Sequence, residues 1–164
     1  MLAGCRAAGI VFTSGGTEAN NLVLSGFDHV ITTAIEHDSV LQTTVRTTLV
    51  NVDVDGCIDL DHLATCLSAV PDGKRAQTLL SVMMANNETG VIQPIDEVVA
   101  MARAAGIALH SDMVQMLGKT HVDFGGSGLD YASISAHKIG GPTGIGAVLV
   151  RPGNRLTSLR LWAS

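Results

Sequence analysis

Aromatic residues are scarce: one Trp, one Tyr and three Phe in 164 residues. The core must therefore be built from Val, Ile, Leu, Ala and Met. Charge is thin as well, at 15%, which points to extensive burial or to surface meant for partners. The net charge of -5 comes without any basic block, and this excludes nucleic acid as a ligand. No run of about eighteen apolar residues exists, so no membrane-spanning helix is read. The start, Met1 to Arg6, is too short and too broken by Gly4 for a signal peptide. Cys5, Cys57 and Cys66 form no CxxC pair. Three scattered thiols fit a reducing, cytoplasmic compartment rather than a disulfide framework. Lysine is limited to Lys74, Lys119 and Lys138.

Glycine is plentiful, at 18 residues, and it marks the turns. Short apolar or β-branched runs read as strands at Ile10–Thr13, His29–Ala34, Thr43–Val52, Thr78–Met83, Ile107–His110, Leu129–Ile134 and Gly146–Val150. Helical patterns fall between them: from Thr17 or Glu18 through Leu24, briefly after Ile35, over Asp59–Val70, over Pro94–Ala105, and briefly over Met113–Leu117. Strands alternating with helices predict an α/β fold, a mostly parallel seven-stranded sheet flanked by helices. Polar clusters follow the strands at 14–17, 36–39, 86–90, 111–115 and 135–138. In such sheets ligands bind beyond the carboxyl ends of the strands, so all five clusters are expected at one rim.

Lys138 alone of the lysines lies between an apolar strand and a glycine-rich turn, Gly140-Gly141-Pro142-Thr143-Gly144-Ile145-Gly146. A lysine so placed is a candidate nucleophilic amine. Asp112 is a carboxylate at a strand end, and His37 is an imidazole in a strand-end loop. Ser14-Gly15-Gly16-Thr17 opens a helix, where unpaired N–H groups and glycines admit an anion. These four groups suit a phosphorylated aldehyde cofactor. The amine binds the aldehyde, the carboxylate keeps a pyridine nitrogen protonated, the imidazole stacks, and the helix start takes the phosphate. Gln115, three residues past Asp112, faces the same side if a helix begins there. His110, Asp112, His121 and His137 could supply N and O ligands to a metal, but no HExxH or tight His/Cys spacing supports one, and none is expected. Ser14 lacks the G-x-S-x-G elbow of a serine hydrolase.

Phe12-Thr13-Ser14-Gly15-Gly16-Thr17-Glu18-Ala19-Asn20-Asn21, Ile35-Glu36-His37, Asn86-Asn87-Glu88-Thr89-Gly90, Asp112-Met113-Val114-Gln115, Gly118-Lys119 and Ser135-Ala136-His137-Lys138 with its glycine turn occur in this order. Together they resemble a cysteine desulfurase. The likeness is to the NifS/IscS group of the class V aminotransferase family, among the fold-type I pyridoxal 5'-phosphate (PLP) enzymes, and it runs from about residue 10 to 153. It implies PLP as cofactor, with Lys138 as the imine-forming lysine and Asp112 at the pyridine nitrogen. Gln115 would meet the ring hydroxyl oxygen, and His37 would stack on the ring. Gly16, Thr17, Ser135 and His137 would form the phosphate site. Asn87 would lie near the substrate carboxylate. Lys138 or His37 would move the Cα proton of L-cysteine, yielding L-alanine and a persulfide for sulfur transfer to an iron–sulfur scaffold or another acceptor. The family acts as a homodimer.

The same resemblance makes residues 1–164 a partial large, PLP-binding domain, truncated at both ends, without the small C-terminal domain. The family's sulfur-accepting cysteine lies downstream of the lysine, so this chain alone is expected to be inactive. Alternatives are a selenocysteine lyase or related class V aminotransferase, and a non-catalytic fragment or interaction module.

Overall fold

A computed structural model describes residues 4–156. Seven strands make one sheet: β1 (Ile10–Thr13), β2 (His29–Thr33), β3 (Arg46–Val50), β4 (Thr78–Ser81), β5 (Ala108–Asp112), β6 (Tyr131–Ser135) and β7 (Gly146–Val150). Their order across the sheet is β1-β7-β6-β5-β4-β2-β3. The pairings among β2 to β6 are parallel, and β7 runs antiparallel to both β6 and β1. The mostly parallel seven-stranded sheet read from the sequence is therefore the observed one.

The helices are α1 (Gly16–Leu24), α2 (Asp38–Leu41), α3 (Leu60–Ser68), α4 (Ile95–Ala105) and α5 (Phe124–Ser127). Among the described residues none is long and apolar enough to cross a membrane. Consecutive strand residues go to opposite faces, and both faces are covered. Ile31, Leu80, Leu109 and Leu149 pack with Leu63 and Leu67 of α3 and Val98 and Ala102 of α4. Val30, Leu79, Val148 and Val150 pack with Ala19, Val23 and Leu24 of α1. This two-sided burial is why the strands read as unbroken apolar runs rather than alternating ones.

Three local expectations need correction. The strand expected over 43–52 is confined to Arg46–Val50. The helix expected over Met113–Leu117 is a turn instead. Asp112 accepts from the Val114 N–H at 2.9 Å, and the only further closure there is Met116 and Leu117 donating to the Met113 carbonyl. The one-turn helix α5 was not foreseen, because Phe-Gly-Gly-Ser has neither apolar period nor helix propensity.

Direction explains how the site is assembled. Strands β2, β4, β5 and β6 are parallel, so their carboxyl ends share one rim. Strand β1 reaches the same rim through two antiparallel steps, since Thr13 pairs with Gly146 and Gly146 with Ser135. Gly146 also lets the loop before α1 lie against β7. A Cβ at this position would stand 2.6 Å from the Gly15 carbonyl carbon and 2.7 Å from its Cα. Backbone cannot yield as a flexible side chain does, so Gly146→Ala is expected to cost about 1–3 kcal/mol. Urea unfolding would show this as a lower midpoint, and an unchanged midpoint would contradict the packing described.

Candidate functional site

At the carboxyl rim a cavity of about 220 Å³ is lined by Gly16, Thr17, Asn20, His37, Ser39, Asn87, Asp112, Val114, Gln115, Ser135, His137 and Lys138. All nine positions singled out from the sequence are among them. They come from five separate strand ends, which the topology brings together. Asn20, Ser39 and Val114 complete the lining and have no role among the expectations drawn from the sequence.

Asp112 closes β5 and is 7% exposed. Its Oδ1 accepts from the Val114 N–H, and its Oδ2 accepts from the Asn20 side-chain amide at 2.8 Å. Burial pushes its carboxyl above the usual carboxylate range. The hydrogen bonds from Asn20 and Val114 and the nearby His37 work in the other direction. A buried carboxylate with these partners is well suited to a cationic N–H facing it from the cavity. His37 precedes α2, where its Nδ1 accepts from the Ser39 N–H at 3.1 Å and lies 2.8 Å from Ser39 Oγ. Lys138 and His137 are exposed on a 3-10 turn, Ala136–Ile139, directly after β6. Ser135 Oγ lies 2.8 Å from His137 Nδ1. The Gln115 Oε1 accepts from Lys119 Nζ at 2.7 Å.

The start of α1 carries no side-chain cap, which leaves first-turn N–H groups unpaired by any side chain. At Gly16 a Cβ would stand 3.0 Å from Val114 Cγ2 and 3.8 Å from Ser135 Cβ. Its missing side chain therefore keeps the backbone open to the cavity. Opposite, Asn86 shapes the loop that carries Asn87. Its amide donates to the Ile35 carbonyl at 2.8 Å, and its Oδ1 accepts from the N–H groups of Glu88 and Thr89. This ties the loop to the segment that bears His37.

Two buried titratable groups lie behind the cavity. Glu36 takes hydrogen bonds from the Met83 N–H at 2.7 Å and from Thr33 Oγ1 at 3.0 Å. Burial pushes its carboxyl up to about 8, and the neighbouring Asp112 charge adds to the rise. His110, weighed above as a metal ligand, sits within the sheet. Its Nδ1 meets Ser81 Oγ at 2.8 Å and its Nε2 meets Ser133 Oγ at 2.9 Å. Burial lowers it to about 3, so it is neutral at ordinary pH and both ring nitrogens are occupied. Among the described residues no group of three or more His, Cys, Asp or Glu is placed to hold a metal ion.

A larger cavity, about 540 Å³, lies at the amino ends of β2, β3 and β4, where it is lined by His29, Arg46, Cys66 and Lys74 among others. It gathers no buried carboxylate opposite an amine, so size alone does not identify the reactive site.

The aminotransferase class-V family model matches residues 1–161. The mitochondrial cysteine desulfurase of Saccharomyces cerevisiae is 45% identical over 157 residues, covering 87% of this chain and 30% of the yeast protein. The cysteine desulfurase IscS of Rickettsia bellii is 43% identical over 176 residues, covering 96% of this chain and 41% of its own length. Among solved structures, a NifS-like protein from Rickettsia africae superposes with a TM-score of 0.86 at 35% identity, over 92% of this chain and 42% of that one. A structure described as SspA in complex with cysteine gives 0.84 at 31% identity, over 96% and 49%. The chain spans less than half the length of these relatives.

Proposed function

The chain belongs to the aminotransferase class-V family, and from that premise we propose that it is the PLP-binding part of a cysteine desulfurase. The intact protein converts L-cysteine to L-alanine and passes the sulfur on as a persulfide. The observation that carries this reading is the shared cavity of Lys138, Asp112 and His37 beside the uncapped start of α1.

The residues fit the cofactor by the chemistry of their donors. Lys138 Nζ would carry the cofactor covalently. Asp112, buried and held by Asn20 and Val114, would face the pyridine N–H. Thr17, Ser135, His137 and the open backbone at Gly16 would take the phosphate at the α1 start. Gln115 would meet the ring hydroxyl oxygen, and Asn87 would lie near the substrate carboxylate. His37 would lie over the ring. When bound, PLP supplies an electron sink that acidifies the Cα–H of an amino acid.

Lys138 Nζ would hold and move the Cα proton of the substrate. Overall, the Cβ–S bond of cysteine breaks with its electron pair left on carbon. A thiolate takes the sulfur as a persulfide, and the carbon gains a proton to become the methyl group of alanine. None of Cys5, Cys57 and Cys66 lines the cavity, so the thiolate is assigned elsewhere in the intact protein. The sulfur acceptor downstream is an iron–sulfur scaffold or a related carrier, and the working form is a homodimer. The free thiols of all three cysteines suit a reducing, cytoplasmic setting.

The test is to incubate the intact protein with PLP and L-cysteine and to quantify alanine. Alanine formed in step with sulfide released by a thiol reductant is expected. Pyruvate, or a keto acid formed only with an amino acceptor, would replace this reading with a lyase or an aminotransferase.

A further inference from the structure

Asn20 makes two hydrogen bonds with one amide nitrogen. Its Nδ2 donates to Asp112 Oδ2 at 2.8 Å and to Ser39 Oγ at 2.8 Å. The residue is 1% exposed, and its Oδ1 is buried with no hydrogen-bond partner among the described residues. The carboxylate of Asp112 can only accept, so it dictates that the NH2 end of Asn20 faces it. Both hydrogens of that NH2 group are then in use, and Ser39 Oγ is an acceptor toward Asn20. The Ser39 hydroxyl hydrogen is left for its other neighbour, His37 Nδ1, 2.8 Å away. The Ser39 backbone N–H reaches the same ring nitrogen at 3.1 Å.

We propose that Asn20 and Ser39 are positioning residues that fix the tautomer of His37, with Asp112 setting the direction of the whole chain of hydrogen bonds. Nδ1 of His37 is held between two donors, so the ring proton sits on Nε2. The inference rests on His37 belonging to the site assigned above. It refines that assignment. In this state His37 offers the site an N–H donor and has no free ring nitrogen to accept a proton. Cα proton removal then falls to Lys138, and the alternative left open by the sequence is decided in favour of the lysine. A proton facing Asp112 from the cavity leaves it an acceptor toward Asn20, so the polarity survives cofactor binding.

The test is long-range 1H–15N NMR on ring-labelled histidines of the intact protein without cofactor, in mildly alkaline buffer. The two tautomers give different patterns of nitrogen shifts. The wild type is expected to hold His37 protonated at Nε2, with a tautomer ratio about tenfold beyond that of free histidine, as two modest hydrogen bonds would give. Ser39→Ala and Asn20→Leu should bring the ratio back toward the free value, and Ser39→Thr should restore it. His110, bonded on both ring nitrogens within the sheet, reports in the same spectrum that the fold is intact. Protonation of His37 at Nδ1 in the wild type would overturn the proposal, as would a ratio unmoved by both substitutions. If Asn20→Leu fails to fold, the Ser39→Ala and Ser39→Thr pair decides alone. No cofactor or substrate is present in the measurement. A desulfurase reading that failed for want of alanine would leave this result standing, and the reverse also holds.

Discussion

Lys138→Ala is expected to abolish covalent retention of PLP and to lower alanine formation by the intact protein on the order of 10³-fold or more. In the proposed reading this side chain would combine two roles at one nitrogen, cofactor attachment and proton transfer, so no neighbouring group would restore the function when it is removed. Stability should barely change. Lys138 is exposed on the turn after β6, and exposed substitutions away from caps and networks fall within about 0.5 kcal/mol. Lys74→Ala is the matching control, because Lys74 lines the cavity at the other end of the strands. Measurement of bound cofactor, alanine yield and thermal midpoint on the three proteins checks this. A Lys138→Ala protein that keeps its cofactor through denaturation would refute the assignment.

The second large effect is on stability rather than turnover. Glu36 is buried with one oxygen bonded to Met83 and Thr33 and the other without a partner among the described residues. Its carboxyl lies near 8 in the folded chain, against an ordinary value of 4.5. The unfolded chain therefore gives up this proton first as pH rises. The contribution to stability is complete below about pH 4.5 and is lost as pH climbs to about 8. The two values bound the loss at about 5 kcal/mol. Glu36→Gln keeps an oxygen for Met83 and Thr33 but cannot ionise. Urea unfolding at pH 5 and pH 9 should thus show the wild type losing several kcal/mol more than the variant. Parallel losses would contradict it. His110 acts in the opposite sense, because its lowered value gives stability that is complete above about 6.5 and is lost progressively as pH falls toward 3, so part of it is already gone at pH 5. It is present in both proteins and cancels in the difference between them.

Much of the sheet was legible because burial on two faces leaves a plain mark. Leu79 and Leu80 go to opposite layers, as do Val148 and Leu149, and only a covered sheet needs apolar residues at both. The rim was legible for a similar reason, since parallel strands put their ends on one side and their polar loops follow. The sequence could not show that β7 runs antiparallel between β1 and β6 and so brings the end of β1, with Gly15 and Gly16, to that rim beside Ser135, because an apolar run fits either direction. The turn over 113–117 was read as a helix because its apolar spacing fits one. It stops after a single turn at Gly118, whose φ of 80° is left-handed and cannot continue a helix.

Asn20 was the clearest omission. It lies within the Phe12–Asn21 motif, yet its partner Asp112 is 92 residues away, and nothing local distinguishes it from Asn21. Glu36 stood beside His37 in the same motif without a role. A carboxylate following a β-branched strand, with no Lys or Arg near it in sequence, is the available signal for burial in the protonated state.

The account rests on Lys138 being the residue that meets the cofactor's aldehyde. Borohydride reduction of the PLP-loaded protein, followed by peptide mass mapping, tests this most directly. The pyridoxyl group is expected on the peptide containing Lys138, and its appearance on Lys74 or Lys119 instead would contradict the account.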